Sequence, residues 1–99
     1  MSEKLLSGSF EEIELIERHI RMLEATKEHQ PVGIIRLSEI TGIAKHKVRY
    51  SLRLLERDGI IAATPDGATV TDRYDEYIRE VCEKLDELRG KIDDLRAKL

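Results

Sequence analysis

Ninety-nine residues suffice for one small domain with an extension, and a core of that size gains from oligomerisation. Charged residues make up 37% and aromatics 4%, so high helical content is expected. No apolar run is long enough to span a bilayer. The polar start Met1–Gly8 does not suit a secretory signal. The single cysteine, Cys82, excludes an intrachain disulfide, and no Cys/His cluster has metal-ligand spacing. A cytoplasmic protein is expected, without cofactor.

Residues 1–8 read as a flexible lead-in. A long helix follows from about Ser9 to His29, with Ser9 as its cap, Glu12 completing a capping box, and Glu11 and Glu12 in the positive first turn. Ile13, Ile16, Ile20 and Leu23 form its main apolar stripe, and Leu15 and Met22 a weaker one. Glu12, Glu17 and Glu24 flank the main stripe. Gln30-Pro31-Val32-Gly33 breaks the helix. Ile34 and Ile35 suit either a short strand or the entry to a short helix that carries Leu37, Ile40 and Thr41 and ends at Gly42.

A basic helix runs from about Lys45 to Asp58, and Gly59 ends it. Val48, Leu52 and Leu55 recur on one face. Lys45, Lys47, Arg49 and Arg53 fall off that face, with His46 and Tyr50 beside them. Ile60–Thr64 and Ala68–Val70 read as the strands of a short hairpin about the turn Pro65-Asp66-Gly67. Thr71 is placed to cap the last helix, with Asp72 in its first turn.

That helix, from about Asp72 to Leu99, carries a heptad pattern. Ile78, Leu85, Ile92 and Leu99 occupy a positions; Tyr74, Val81, Leu88 and Leu95 occupy d positions. Glu80–Lys84, Glu87–Lys91 and Asp94–Lys98 are spaced for i,i+4 pairs. Cys82 takes an e position, where it either approaches its mate in a dimer or, as a reducing compartment favours, is a small buried residue. The e and g positions also hold Lys84, Arg89, Lys91, Arg96 and Lys98, which suits no simple two-stranded homodimer. The glutamate-flanked first helix is the better counterpart for the last one, within one chain or across a dimer. The expected contact residues are Ile13, Ile16, Ile20, Leu23, Ile78, Val81, Leu85, Leu88, Ile92 and Leu95.

Net charge is −3 overall but unevenly spread. Residues 32–71 hold six Lys/Arg against four acids, the only net positive stretch, and residues 45–53 contain four Lys/Arg and no acid. The basic footprint therefore coincides with one helix, a pattern that fits either a solvated amphipathic helix or one that enters a major groove.

The order of helix, short helix, turn, basic helix, hairpin and helix resembles a winged helix-turn-helix. Leu37-Ser38-Glu39-Ile40-Thr41-Gly42-Ile43 resembles the first helix and turn of that motif, and Lys45–Leu55 its recognition helix. Gly59-Ile60-Ile61, Pro65-Asp66-Gly67 and Val70-Thr71-Asp72 resemble the exit through the wing. The resemblance covers about residues 31–75, and small prokaryotic transcriptional regulators are the nearest group. It implies a mostly α fold with a small β-hairpin: a winged helix-turn-helix domain over residues 9–71 and a dimerisation helix over residues 72–99. It places Lys45, His46, Lys47, Arg49 and Tyr50 at the groove, and Arg53, Arg36, Ser38 and Thr69 at phosphates. Arg49 is the candidate for guanine, because its planar fork can bond O6 and N7 together. Two departures stand out. Ala44 occupies the cap position usually held by Ser or Thr, and the short wing carries Asp66 at its tip, so deep minor-groove insertion is not expected.

A dimeric, sequence-specific regulator of transcription is the leading expectation, with double-stranded DNA as partner and a nucleoid location. An architectural nucleoid protein is disfavoured by the low overall basicity. A winged-helix protein-interaction module is disfavoured by the basic face. An enzyme lacks any nucleophile–base motif, phosphate loop or metal set, and no effector domain is evident.

Overall fold

The computed structural model describes residues 4–99; residues 1–3 of the expected lead-in lie outside the described residues. Four helices and a two-stranded antiparallel hairpin follow one another as α1 (Ser7–His29), α2 (Ile34–Thr41), α3 (Lys45–Arg57), β1 (Ile61–Thr64), β2 (Gly67–Val70) and α4 (Tyr74–Ala97). The mostly helical class with one small hairpin is as expected from the sequence.

The start of α1 departs from expectation. Leu6, not Ser9, is the residue before the first turn, in the left-handed region at φ 60°. The Ser7 hydroxyl donates back to the Lys4 carbonyl at 3.2 Å and the Phe10 amide to the Leu6 carbonyl at 3.0 Å, so the chain closes into a turn two residues early. Ser9 then lies inside the helix, no side chain caps it, and Glu11 and Glu12 fall beyond the first turn.

The buried face of α1 is also rotated from the expected stripe. His19, Met22, Leu23, Ala25 and Thr26 are buried, while Ile16 and Ile20 are half-buried and Ile13 is exposed. Helices α2 and α3 and strand β2 pack on α1, whose buried residues all lie in its C-terminal half. The single core gathers Met22, Leu23, Val32, Leu37, Val48, Leu55, Ile60 and Ile61, with Leu52, Val70, Tyr74 and Ile78 at its edge.

Helix α2 absorbs Ile34 and Ile35, which settles their alternative in favour of helix entry. It ends at Gly42, whose φ of 72° lets its amide reach the Ser38 carbonyl at 2.9 Å; glycine takes this conformation without Cβ strain. The turn is then locked by side chains. The Ser38 hydroxyl donates to the Ile43 carbonyl at 2.6 Å, and the Thr41 hydroxyl accepts the Ile43 amide at 3.2 Å.

Helix α3 ends in a Schellman arrangement. Gly59 has φ 77°, its amide meets the Glu56 carbonyl at 3.0 Å, and the Ile60 amide meets the Leu55 carbonyl at 2.9 Å. The apolar pair Ile60-Ile61 is thereby turned into the core.

In the hairpin Ile61 pairs with Val70 and Thr64 with Gly67. An isolated antiparallel bridge joins Val32 to Ala68 through amide–carbonyl bonds of 3.1 and 2.8 Å, a pairing the sequence did not indicate. It also changes the meaning of Gly67, which belongs to β2 rather than the turn. A Cβ at Gly67 would stand 2.7 Å from the Val32 backbone, so the glycine permits strand approach.

The entry to α4 is likewise different. The Thr71 hydroxyl donates to the Gly59 carbonyl at 2.6 Å and accepts the Arg73 amide at 3.2 Å. It ties the hairpin exit to the end of α3 and does not cap α4, which begins after Arg73. Asp75 and Glu76, not Asp72, occupy the first turn. Tyr74, Tyr77 and Ile78 pack on the core, and the Lys27 ammonium sits 4.5 Å from the Tyr74 ring centroid, a cation–π contact between α1 and α4. From Cys82 onward every residue of α4 is exposed. The three expected i,i+4 pairs do not close. Among the described residues Lys84 turns instead to Glu87, at 3.3 Å.

Candidate nucleic-acid interface

The apolar back of α3 anchors it. Val48 and Leu55 are fully buried and Leu52 half-buried, which directs the opposite face to solvent. Ser51 completes the buried side: its hydroxyl meets Nδ1 of buried His19 at 3.0 Å, joining α3 to α1. Burial depresses the His19 pKa, the Arg18 charge adds to this, and Asp58 opposes it. At the far end of α3, half-buried Tyr77 has its pKa raised by burial and by Asp58. The Arg73 guanidinium donates to the Asp58 carbonyl at 2.8 Å.

The residues expected at DNA separate into groups. Lys45, His46, Arg49, Tyr50 and Arg53 are all exposed on α3, and successive helical angles place His46, Tyr50 and Arg53 along its outermost ridge. Tyr50 is 46% exposed. Arg36, Lys45 and Arg49 line one shallow depression with Gly33, Ile35 and Glu39. Arg49 and Arg53 also line a cleft of about 380 Å³ between α3 and the hairpin. Arg49 is thus common to both hollows.

The other candidates lie apart. Lys47 faces the depression shared with Glu14, Glu17, Arg18 and Arg21 of α1. The Ser38 hydroxyl is occupied in the turn by the Ile43 carbonyl. Thr69 alternates to the hairpin face opposite Ala68, outside the cleft that Ala68 lines. Arg57 pairs with neighbouring Asp58 at 3.5 Å.

Sequence reasoning passed over Glu56 and Glu39. Glu56 lines the α3–hairpin cleft with Arg49 and Arg53, and Glu39 lies beside Arg36 and Lys45. The spacing carried a signal: Glu56 follows Arg53 by three residues and Arg49 by seven, one helix face. Neither acid comes within ion-pair distance of these arginines; the ion pairs among the described residues are Arg57–Asp58 and Lys84–Glu87. Arg36, Lys45, Arg49 and Arg53 are therefore not ion-paired with the acids that share their hollows.

The N-terminus of α3 is uncapped. Ala44 has an extended conformation suited to a cap (φ −57°, ψ 143°) but no side-chain acceptor. Among the described residues no group of three or more His, Cys, Asp or Glu is arranged to hold a metal, and no helix is long and apolar enough to cross a membrane. Comparison with protein-family models and with characterised proteins gives no significant match.

Proposed function

We propose that the chain is a winged helix-turn-helix protein that binds double-stranded DNA sequence-specifically, as a homodimer, and regulates transcription in the cytoplasm at the nucleoid. In this reading α2 and α3 are the helix-turn-helix and the hairpin is the wing. The observation that carries it is the solvent side of α3, where His46, Tyr50 and Arg53 form the outer ridge and Lys45 and Arg49 are exposed beside it, on a helix whose opposite face is fixed in the core. A helix so mounted has the width and the donors to enter a major groove.

Arg49 lies between the α2 and hairpin hollows and is the guanine reader. Arg53, on the outer ridge of α3, and Arg36, on α2, bond phosphates and set position without reading sequence. The four-residue strands of the wing and its acidic tip give it no basic reach into a minor groove. The exposed apolar residues of α1 and α4 supply the dimer contact, which brings two copies of α3 to one operator.

The test is fluorescence anisotropy with a DNA site obtained by selection, for the wild type, Arg49→Ala and Arg53→Ala. Arg49→Ala is expected to lose affinity roughly 5- to 100-fold at one base position, the range of a bidentate contact. Arg53→Ala is expected to weaken every sequence alike and to lower the salt slope by about 1. Wild-type protein that binds random and selected DNA equally supports an architectural role. Absence of binding at low salt supports a protein-interaction module.

A further inference from the structure

The N-terminal half of α1 and most of α4 leave an apolar surface uncovered. Phe10 and Ile13 on α1, and Leu85, Leu88, Ile92 and Leu95 on α4, are exposed. The two helices run antiparallel: Lys27 stands at Tyr74, while Ser9, Glu12 and Ile13 share a cleft of about 520 Å³ with Lys84, Leu85 and Leu88. We propose that a second copy of the chain covers this surface with its α4 antiparallel to the first, so that each α4 lies between its own α1 and the partner's. Arg89 and Arg96 of one protomer then meet Glu17 and Glu24 of the other. The proposal rests on the homodimer reading above and is independent of DNA binding.

The charges argue for it first. Lys84, Lys91 and Lys98 border one side of the α4 seam and Arg89 and Arg96 the other, so both borders are basic. Two such helices placed side by side appose like charges in either direction, which is destabilising. Each border calls for an acidic neighbour. The lysine border has one in its own chain, since Glu12 lines the same cleft as Lys84. The arginine border turns away from that cleft. On α1, Glu17 and Glu24 lie beside Ile13 and Ile20, outside the lining of the cleft, and both are exposed; Glu17 also borders the depression that Lys47 faces, without an ion pair there.

Register argues for it independently. Phe10, Glu17 and Glu24 are spaced by sevens, as are Cys82, Arg89 and Arg96. Seven residues advance a helix about 10.5 Å while nearly restoring its face. One alignment therefore brings Arg89 to Glu17, Arg96 to Glu24 and the small Cys82 to Phe10. Within one chain Glu17 stands roughly level with Glu80, judging from the shared cleft. The partner's Arg89 then lies level with Glu80, and its Leu95 level with Tyr74. Antiparallel α4 helices in that register overlap along nearly their whole length. A parallel pair leaves each Glu17 level with the partner's Glu80, nine residues or about 13 Å from Arg89.

The test uses the full chain carrying Cys82→Ser, with Glu17→Cys in one preparation and Arg89→Cys in another, mixed, allowed to exchange and oxidised. A disulfide-linked heterodimer is expected, with little linkage in either preparation alone. Efficient self-linkage of the Arg89→Cys protein means parallel α4 helices and overturns the arrangement. A monomer in sedimentation equilibrium at tens of micromolar overturns the arrangement and the homodimer reading together. Arg89→Glu with Arg96→Glu is expected to raise the dimer dissociation constant at least tenfold, and added Glu17→Lys with Glu24→Lys to restore it to within about threefold. These four side chains are exposed, so folding, checked by circular dichroism, is expected to survive; failure of the restoration also overturns the proposal.

Discussion

Arg49 and Glu56 line the same cleft, and their opposed charges make opposite predictions at the residue scale. In the proposed reading Glu56→Gln removes an acid from a hollow that meets the DNA backbone, and it is expected to strengthen binding to random DNA several-fold while narrowing the preference for the selected site. Competition binding at two salt concentrations checks it. His19 predicts a pH effect on stability. Its folded pKa lies below the ordinary value of 6.5, so between the two values the unfolded chain binds more protons. Stability from this group is complete above about pH 6.5 and declines as pH falls through the folded pKa. Urea unfolding at a series of pH values is expected to show this slope, and His19→Gln to remove it. Gly67 makes a third prediction. An added Cβ meets the Val32 backbone at 2.7 Å where φ is 132°, so Gly67→Ala is expected to cost roughly 1–3 kcal/mol by thermal denaturation.

At the scale of elements, α3 is well anchored at its C-terminus and poorly finished at its N-terminus. Gly59 satisfies the last carbonyls, whereas Ala44 leaves the first amides without a side-chain acceptor. Ala44→Ser is expected to stabilise the protein by about 1 kcal/mol, measured as a rise in urea midpoint with unchanged slope. Helix content and the glycine stops at Gly42 and Gly59 were legible in the sequence, because 3.6-residue periodicity and left-handed glycines are local signals. The starts of α1 and α4 were not. Ser9 and Thr71 both looked like caps, but backbone neighbours at Lys4 and Gly59 claimed the local turns. The core face of α1 was misjudged for a related reason. His19 and Thr26 are buried because they find partners in Ser51 and the Met22 carbonyl, and a hydropathy stripe does not register such satisfaction. In the candidate site the basic residues of α3 were visible from their spacing. The grouping of Arg36 with Lys45, and the separation of Lys47 and Thr69 from it, required the tertiary arrangement of α2 and the hairpin.

At the scale of the molecule, a small core at one end and a long uncovered helix at the other divide the chain into a proposed reading head and a proposed coupling arm. In the proposed reading, the arm accounts for how a chain of net charge −3 acts on DNA. The acids are concentrated on α1 and α4, and the α2–α3 surface keeps its positive charge. A 24-residue α4 spans about 36 Å, close to one turn of B-DNA at about 34 Å, so antiparallel arms suit two heads on successive grooves. Selection of bound fragments from a random DNA pool, followed by sequencing, tests the central claim most directly. The account predicts enrichment of an inverted pair of half-sites about 10 base pairs apart, with guanine at the position lost in Arg49→Ala. A pool that stays unenriched over successive rounds contradicts it.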